Sequence, residues 1–132
     1  MMKEQLIAEA KKIRAHAHVP YSKYRVGAAL LTKSGKIYRG CNIENAAYSV
    51  SCCAERVAIF KAVSEGETDF QSIAVVADSN RPVPPCGSCR QVMSEFFDES
   101  VEIHMSNLQD DTKTIKMGEL LPFSFSQKDL ND

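Results

Sequence analysis

Residues 73–105 read IAVVADSNRPVPPCGSCRQVMSEFFDESVEIHM, and the fold turns on this stretch. Ile73 to Ala77 is a continuous apolar run, as in a strand covered on both faces. Ser79 to Pro85 is a proline-rich loop. From Ser88 to Phe97 the apolar residues Val92, Met93, Phe96 and Phe97 recur at helical spacing, which predicts a helix with those side chains turned inward. Val101, Ile103 and Met105 then alternate with polar residues, the period of a strand. A strand–helix–strand run predicts two parallel strands joined by a right-handed crossover.

Upstream, Leu6, Ile7, Ala10, Ile13 and Ala17 mark an amphipathic helix from residue 3 to about 17, with Pro20 just beyond its end. Val26 to Leu31 and Ile37 to Cys41 flank a Ser34-Gly35 turn, which predicts a β-hairpin. Asn42 to Ser51 is polar and irregular and reads as a loop. Cys53 to Val63 has few polar residues and reads as a buried helix, with Ser49 or Ser51 available to cap it. Downstream, Thr112 to Met117 forms a weaker strand after a solvated Asp110-Asp111 turn, and Leu120-Leu121 belongs to a short helix ended by Pro122. This order predicts a three-layer α/β/α sandwich around one mixed sheet of about five strands. One domain is expected over residues 1–132, with no repeat, linker or low-complexity tract.

Composition narrows the chemistry. Hydrophobic residues at 44% and charged residues at 25% are an ordinary globular balance. No apolar stretch reaches the roughly 18 residues of a membrane span. Met1 to Ala10 carries Lys3, Glu4 and Glu9 and does not resemble a secretion signal, so a cytosolic protein without membrane partners is expected. The net charge is -1 with no basic block, so no nucleic-acid partner is expected. The five cysteines, Cys41, Cys52, Cys53, Cys86 and Cys89, are an odd number. In an intracellular chain they suggest metal binding or catalysis more than disulfides.

Three of those cysteines lie in a chemically meaningful pattern. Cys53-Ala54-Glu55 is followed by Pro85-Cys86-Gly87-Ser88-Cys89. Zinc favours thiolates in tetrahedral geometry, and C-x-x-C spacing lets one loop–helix junction supply two. With Cys53 as a third ligand, a fourth position stays open for water, as in catalytic zinc sites. Zinc lowers the pKa of such a water from about 15.7 to roughly 7. Both cysteine groups fall at predicted helix starts, where unpaired N–H groups favour thiolates. Three thiolates and one Zn²⁺ leave a net negative charge, and Arg56, beside Cys53, can offset it by donating to sulfur. Glu55 is placed to take a proton from the zinc-activated water and pass it to a substrate nitrogen and leaving amine.

A ligand-x-Glu followed by P-C-x-x-C, in a three-cysteine variant, is the signature of zinc deaminases as a group. The chain resembles the small homotetrameric cytidine deaminases over nearly its whole length. The segments that carry the resemblance are Val19-Pro20-Tyr21-Ser22-Lys23-Tyr24, Val26-Gly27-Ala28-Ala29-Leu30, Gly40-Cys41-Asn42-Ile43-Glu44-Asn45-Ala46, Cys53-Ala54-Glu55-Arg56 and Pro85-Cys86-Gly87-Ser88-Cys89-Arg90-Gln91. The resemblance implies hydrolytic deamination of free cytidine and 2′-deoxycytidine in pyrimidine salvage, with one zinc per chain and no organic cofactor. It implies that Asn42 and Glu44 bind the ribose 3′-hydroxyl. Tyr24, where the family usually has Phe, would pack near the nucleoside. Backbone groups of Ala54 and of the loop before Pro85 would contact the pyrimidine. Phe125 matches an aromatic that reaches a neighbouring subunit's base; Phe123 lies two residues away, and Leu120-Leu121-Pro122 favours Phe125.

Other readings compete. A C-x-x-C pair plus one cysteine also suits a closed structural zinc site in an interaction module, with a histidine as fourth ligand. His16, His18 and His104 lie in no ligand-spaced motif and are expected at the surface or at helix ends. Cys41 and Cys52 read as small buried hydrophobes. A deaminase acting on a nucleoside antibiotic or on polynucleotide keeps the chemistry. The Asn42–Glu44 sugar motif and the missing basic groove argue for a free nucleoside.

Overall fold

The computed structural model describes residues 2–131. Its secondary structure runs α1 (Met2–Ile13), β1 (Val26–Thr32), β2 (Ile37–Cys41), α2 (Ala54–Ser64), β3 (Phe70–Ala77), α3 (Gly87–Phe96), β4 (Glu102–Ser106), β5 (Thr112–Lys116), α4 (Met117–Leu120) and α5 (Gln127–Asn131). Short 3-10 turns occupy Arg14–His16 and Tyr48–Val50. The five strands form one mixed sheet in the order β2-β1-β3-β4-β5, with helices on both sides. β1 and β2 pair as the expected hairpin, and β3 pairs with β4 in parallel across α3.

Strand side chains alternate between faces, and that period divides the core in two. On one face Ala28, Leu30, Ile73, Ile103 and Met105 pack with Ala58, Ile59 and Ala62 of α2 and Met93 of α3. On the other, Ala29, Leu31, Ala74 and Val76 receive Leu6 and Ala10 of α1. Leu6 is fully buried, and truncating such a leucine to alanine typically costs about 2–5 kcal/mol.

The second covered face explains one difference from the sequence reading. His104 lies on the α1 side of β4, is 4% exposed, and shares a 2.8 Å hydrogen bond between Nδ1 and Thr114 Oγ1. It is neither a surface nor a helix-end residue, because α1 covers that face of the sheet. Ser106, also on that face, is fully buried. His16 and His18 are exposed as expected.

Two contacts place α2. Ala54, Ala58 and Ala62 recur every fourth residue and let the helix settle close on β2. A Cβ on Gly40 would stand 2.4 Å from the Ala54 carbonyl oxygen and 2.6 Å from the Ala58 nitrogen. Gly40 is therefore a close-approach glycine that fixes where α2 begins. The capping expectation fails: Cys53 holds the N-cap position with no side-chain cap bond, while Ser51 Oγ accepts from Asn45 N–H. α5 has no sequence forecast, being one short polar turn without apolar periodicity.

Candidate metal and nucleoside site

The N-terminal ends of α2 and α3 converge on the same face of the sheet. Cys53 precedes α2 and Cys86 precedes α3, each in extended backbone, and Cys89 follows in the first turn of α3. The sulfurs of Cys53, Cys86 and Cys89 all lie within 4.8 Å of one another, with Cys53 and Cys86 at 3.9 Å. Cys41 and Cys52 stand outside the cluster, Cys41 buried beside Ala17 and Val19.

The protonation pattern suits a soft divalent cation. The Cys89 thiol, as hydrogen-bond partner, together with the Arg56 guanidinium, brings the Cys53 thiol down to about 5 against the opposing effect of burial. Cys89 is pushed up, first by that same bond to Cys53 and then by burial. Cys53 is thus the sulfur that gives up its proton more readily than Cys89, and the gathered sulfurs can take a soft cation. Arg56 Nη2 donates to Cys53 Sγ at 3.3 Å, which holds the guanidinium still more firmly charged. Its Nε is the one buried side-chain nitrogen or oxygen without a partner among the described residues. An all-sulfur donor set with a guanidinium against it fits zinc.

Glu55, in the first turn of α2, is 4% exposed. Burial pushes its carboxyl up to about 7, with the Cys53 charge adding to the rise. A carboxyl balanced near neutral pH can both accept and deliver a proton. Its charge also acts on Cys89, which places it beside the sulfur cluster.

A second group of side chains is built from the loops before β1 and after β2. Asn42 Oδ1 accepts from Val26 N–H at 2.9 Å, and its Nδ2 donates to the Tyr24 carbonyl at 2.8 Å. Glu44 Oε1 accepts from the Tyr21 and Ser22 N–H groups, each at 3.1 Å, and Oε2 accepts from the Ser22 hydroxyl. These bonds, led by that of the Ser22 hydroxyl, hold the Glu44 carboxyl below its ordinary value. A groove of about 380 Å³ opens here, lined by Tyr21, Ser22, Glu44, Tyr48 and Ser51. The loop is pinned beside the sulfur cluster by Ile43 and Cys52, which exchange two backbone hydrogen bonds of 2.9 Å. Cys52 immediately precedes Cys53, so pairing within the loop sets the spacing between the two groups.

The expected site residues therefore fall into two connected groups, with Cys53, Glu55, Arg56, Cys86 and Cys89 in one and Tyr24, Asn42 and Glu44 in the other. Ala54 is fully buried at the start of α2. Arg90 donates to the carbonyls of Pro85 and Leu120 and so holds the loop before Cys86 against the end of α4. Phe125 is exposed on the C-terminal segment, its carbonyl bonded to Gln91 Nε2 at 3.0 Å. Phe123 is fully exposed, with a left-handed φ of 51°. The sequence assigned no role to Ser22, although its place two residues before Tyr24 was a signal for a loop-forming hydroxyl. A larger groove, about 920 Å³, lies between the end of α3, α4 and the C-terminal segment. No cysteine lines it.

The family described as "Cytidine and deoxycytidylate deaminase zinc-binding region" matches residues 1–105. The chain is 56% identical to the cytidine deaminase of Sporosarcina psychrophila, over 97% of this chain and 94% of that one. It is 54% identical to the cytidine deaminase of Halalkalibacterium halodurans over the full length of both. The crystal structure of cytidine deaminase from Burkholderia pseudomallei superposes with a TM-score of 0.92 at 45% identity, covering 95% of this chain and all of the other. The chain belongs to the cytidine and deoxycytidylate deaminase family.

Proposed function

We infer that this protein hydrolyses free cytidine and 2′-deoxycytidine to uridine and 2′-deoxyuridine, releasing ammonia, as a zinc enzyme of pyrimidine salvage. The observation that carries this is the meeting of three cysteine sulfurs within 4.8 Å beside a buried glutamate raised to about 7. Cys53, Cys86 and Cys89 would hold the metal, and Arg56 offsets their charge. Zinc, when bound, supplies an acidified water at neutral pH. Glu55 would accept a proton as water adds to C4 and deliver it to the pyrimidine nitrogen, then take the proton of the new C4 hydroxyl and deliver it to the departing amine. Its own protonation is restored at the end of the cycle. Asn42 and Glu44 hold the sugar, Tyr24 packs near it, and the backbone at Ala54 and before Pro85 meets the base.

The same reading takes the chain as one domain and the enzyme as cytoplasmic. No helix of the described residues is long and apolar enough to cross a membrane. We also infer a homotetramer in which Phe125 completes a neighbour's pocket. Tyr21, Ile43, Tyr48, Val50, Phe60, Phe123 and Phe125 are all exposed, more large apolar surface than a lone small domain needs.

The test is turnover of cytidine, followed by uridine and ammonia release, with zinc analysis on the same sample. About one zinc per chain with turnover is expected. Glu55→Gln should keep fold and zinc and lose roughly 10²-fold or more in kcat. Unchanged activity in that variant would sink the mechanism and favour a non-catalytic zinc module.

A further inference from the structure

The Glu44 carboxylate has few acceptor positions left. A carboxylate offers about four lone-pair positions. Oε1 receives two backbone N–H groups, from Tyr21 and Ser22, and Oε2 receives the Ser22 hydroxyl. One position remains, on the oxygen that Ser22 already touches. The Ser22 Oγ is itself held, because it accepts the Tyr24 N–H at 3.0 Å. Tyr24 is tied in turn to Asn42 through its carbonyl. Ser22 therefore sits at the junction of Tyr24, Asn42 and Glu44, and it lines the groove that Glu44 opens into.

We propose that Ser22 is a positioning residue for the sugar end of the nucleoside, acting through Glu44. Its hydroxyl fixes the rotation of the carboxylate so that a single acceptor faces one sugar hydroxyl. Because only one acceptor is free, Glu44 engages one hydroxyl and leaves a second unread. That arrangement is compatible with sugars that have or lack the 2′-hydroxyl. The inference rests on the assignment of Glu44 to the sugar in the proposed function.

The experiment compares the zinc-loaded enzyme with Ser22→Ala, Ser22→Thr, Glu44→Gln and the Ser22→Ala/Glu44→Gln pair, on cytidine and on 3′-deoxycytidine. For Ser22→Ala we expect KM for cytidine to rise about tenfold with kcat within about twofold, the size of one lost hydrogen bond to a charged group. Ser22→Thr, which keeps the hydroxyl, should restore most of the loss. The pair should be no worse than Glu44→Gln alone, since the proposal routes the effect of Ser22 on the sugar through that carboxylate. On 3′-deoxycytidine, Ser22→Ala should match the unsubstituted enzyme. An unmoved KM in Ser22→Ala, or an equal loss with and without Glu44, overturns the proposal while Glu44→Gln still shows its own defect. If Glu44→Gln itself leaves KM unmoved, the sugar assignment is what fails, and the role of Ser22 falls with it. Thermal unfolding midpoints separate a loop merely destabilised from one that mispositions the carboxylate.

Discussion

At the scale of single residues, the site depends on how charge is distributed over three sulfurs. Among the described residues Arg56 is the one cation hydrogen-bonded to them, through Nη2 to Cys53, and its buried Nε has no partner. Replacing it with glutamine should therefore cost roughly 10–100-fold in zinc affinity or activity, as lost partners of metal ligands typically do. Competition with a chelator at fixed zinc measures this, and retention equal to that of the unsubstituted chain would show the guanidinium to be dispensable. The cysteines, Glu55 and Arg56 were legible from sequence because their chemistry is fixed by residue type and short spacing. Ser22 was not, because a hydroxyl acquires meaning only from the carboxylate it meets, which lies twenty-two residues on.

At the scale of elements, the start of α2 is set by contact with β2, and this contact is open to test. Gly40→Ala forces a methyl group against the Ala54 carbonyl and the Ala58 nitrogen, both backbone atoms that cannot swing aside. Overpacking of this kind costs about 1–3 kcal/mol. Denaturant unfolding should show that loss, and kcat should fall with it because Cys53 and Glu55 move with the helix. Stability lost at full activity would separate the two. β4 carries a second consequence. Burial pushes His104 below its ordinary pKa, with Glu102, Lys3 and Glu4 acting on it more weakly and Thr114 bonded to its ring. The folded state thus binds the proton less readily than the unfolded chain. Its contribution to stability is complete above the unfolded value of about 6.5 and is lost as pH falls through the depressed folded value. The fall in unfolding midpoint from about pH 7.5 to about pH 5.5 should be shallower in His104→Gln; an identical slope would assign the acid sensitivity elsewhere. The hairpin, the parallel pair and the outer helices were readable from periodicity. The burial of His104 was not, because it depends on α1 arriving from far along the chain.

At the scale of the whole molecule, one chain leaves much aromatic surface uncovered. If Phe125 completes a neighbour's pocket, Phe125→Ala should lower turnover of cytidine while zinc content stays at about one per chain. Sedimentation of the unsubstituted enzyme should then give four times the 14.6 kDa chain mass, with activity lost on dilution into monomer. A fully active monomer would refute the shared site. Sequence alone could rank Phe125 over Phe123 only by its neighbours. The structure adds that Phe125 is anchored to α3 through Gln91, whereas Phe123 stands free on a left-handed turn.

Cys53 and Cys86, thirty-three positions apart, close a loop once their sulfurs meet. Closing a flexible loop of that size costs roughly 3 kcal/mol of chain entropy plus a constant. Here the packing of α2 and α3 on one face of the sheet has already met that cost before any ion arrives. The ion therefore finds three ligands gathered in the folded chain, but only the short Cys86–Cys89 pair near at hand in the unfolded one. It partitions toward the native state, and free zinc becomes a thermodynamic ballast whose weight grows with its concentration.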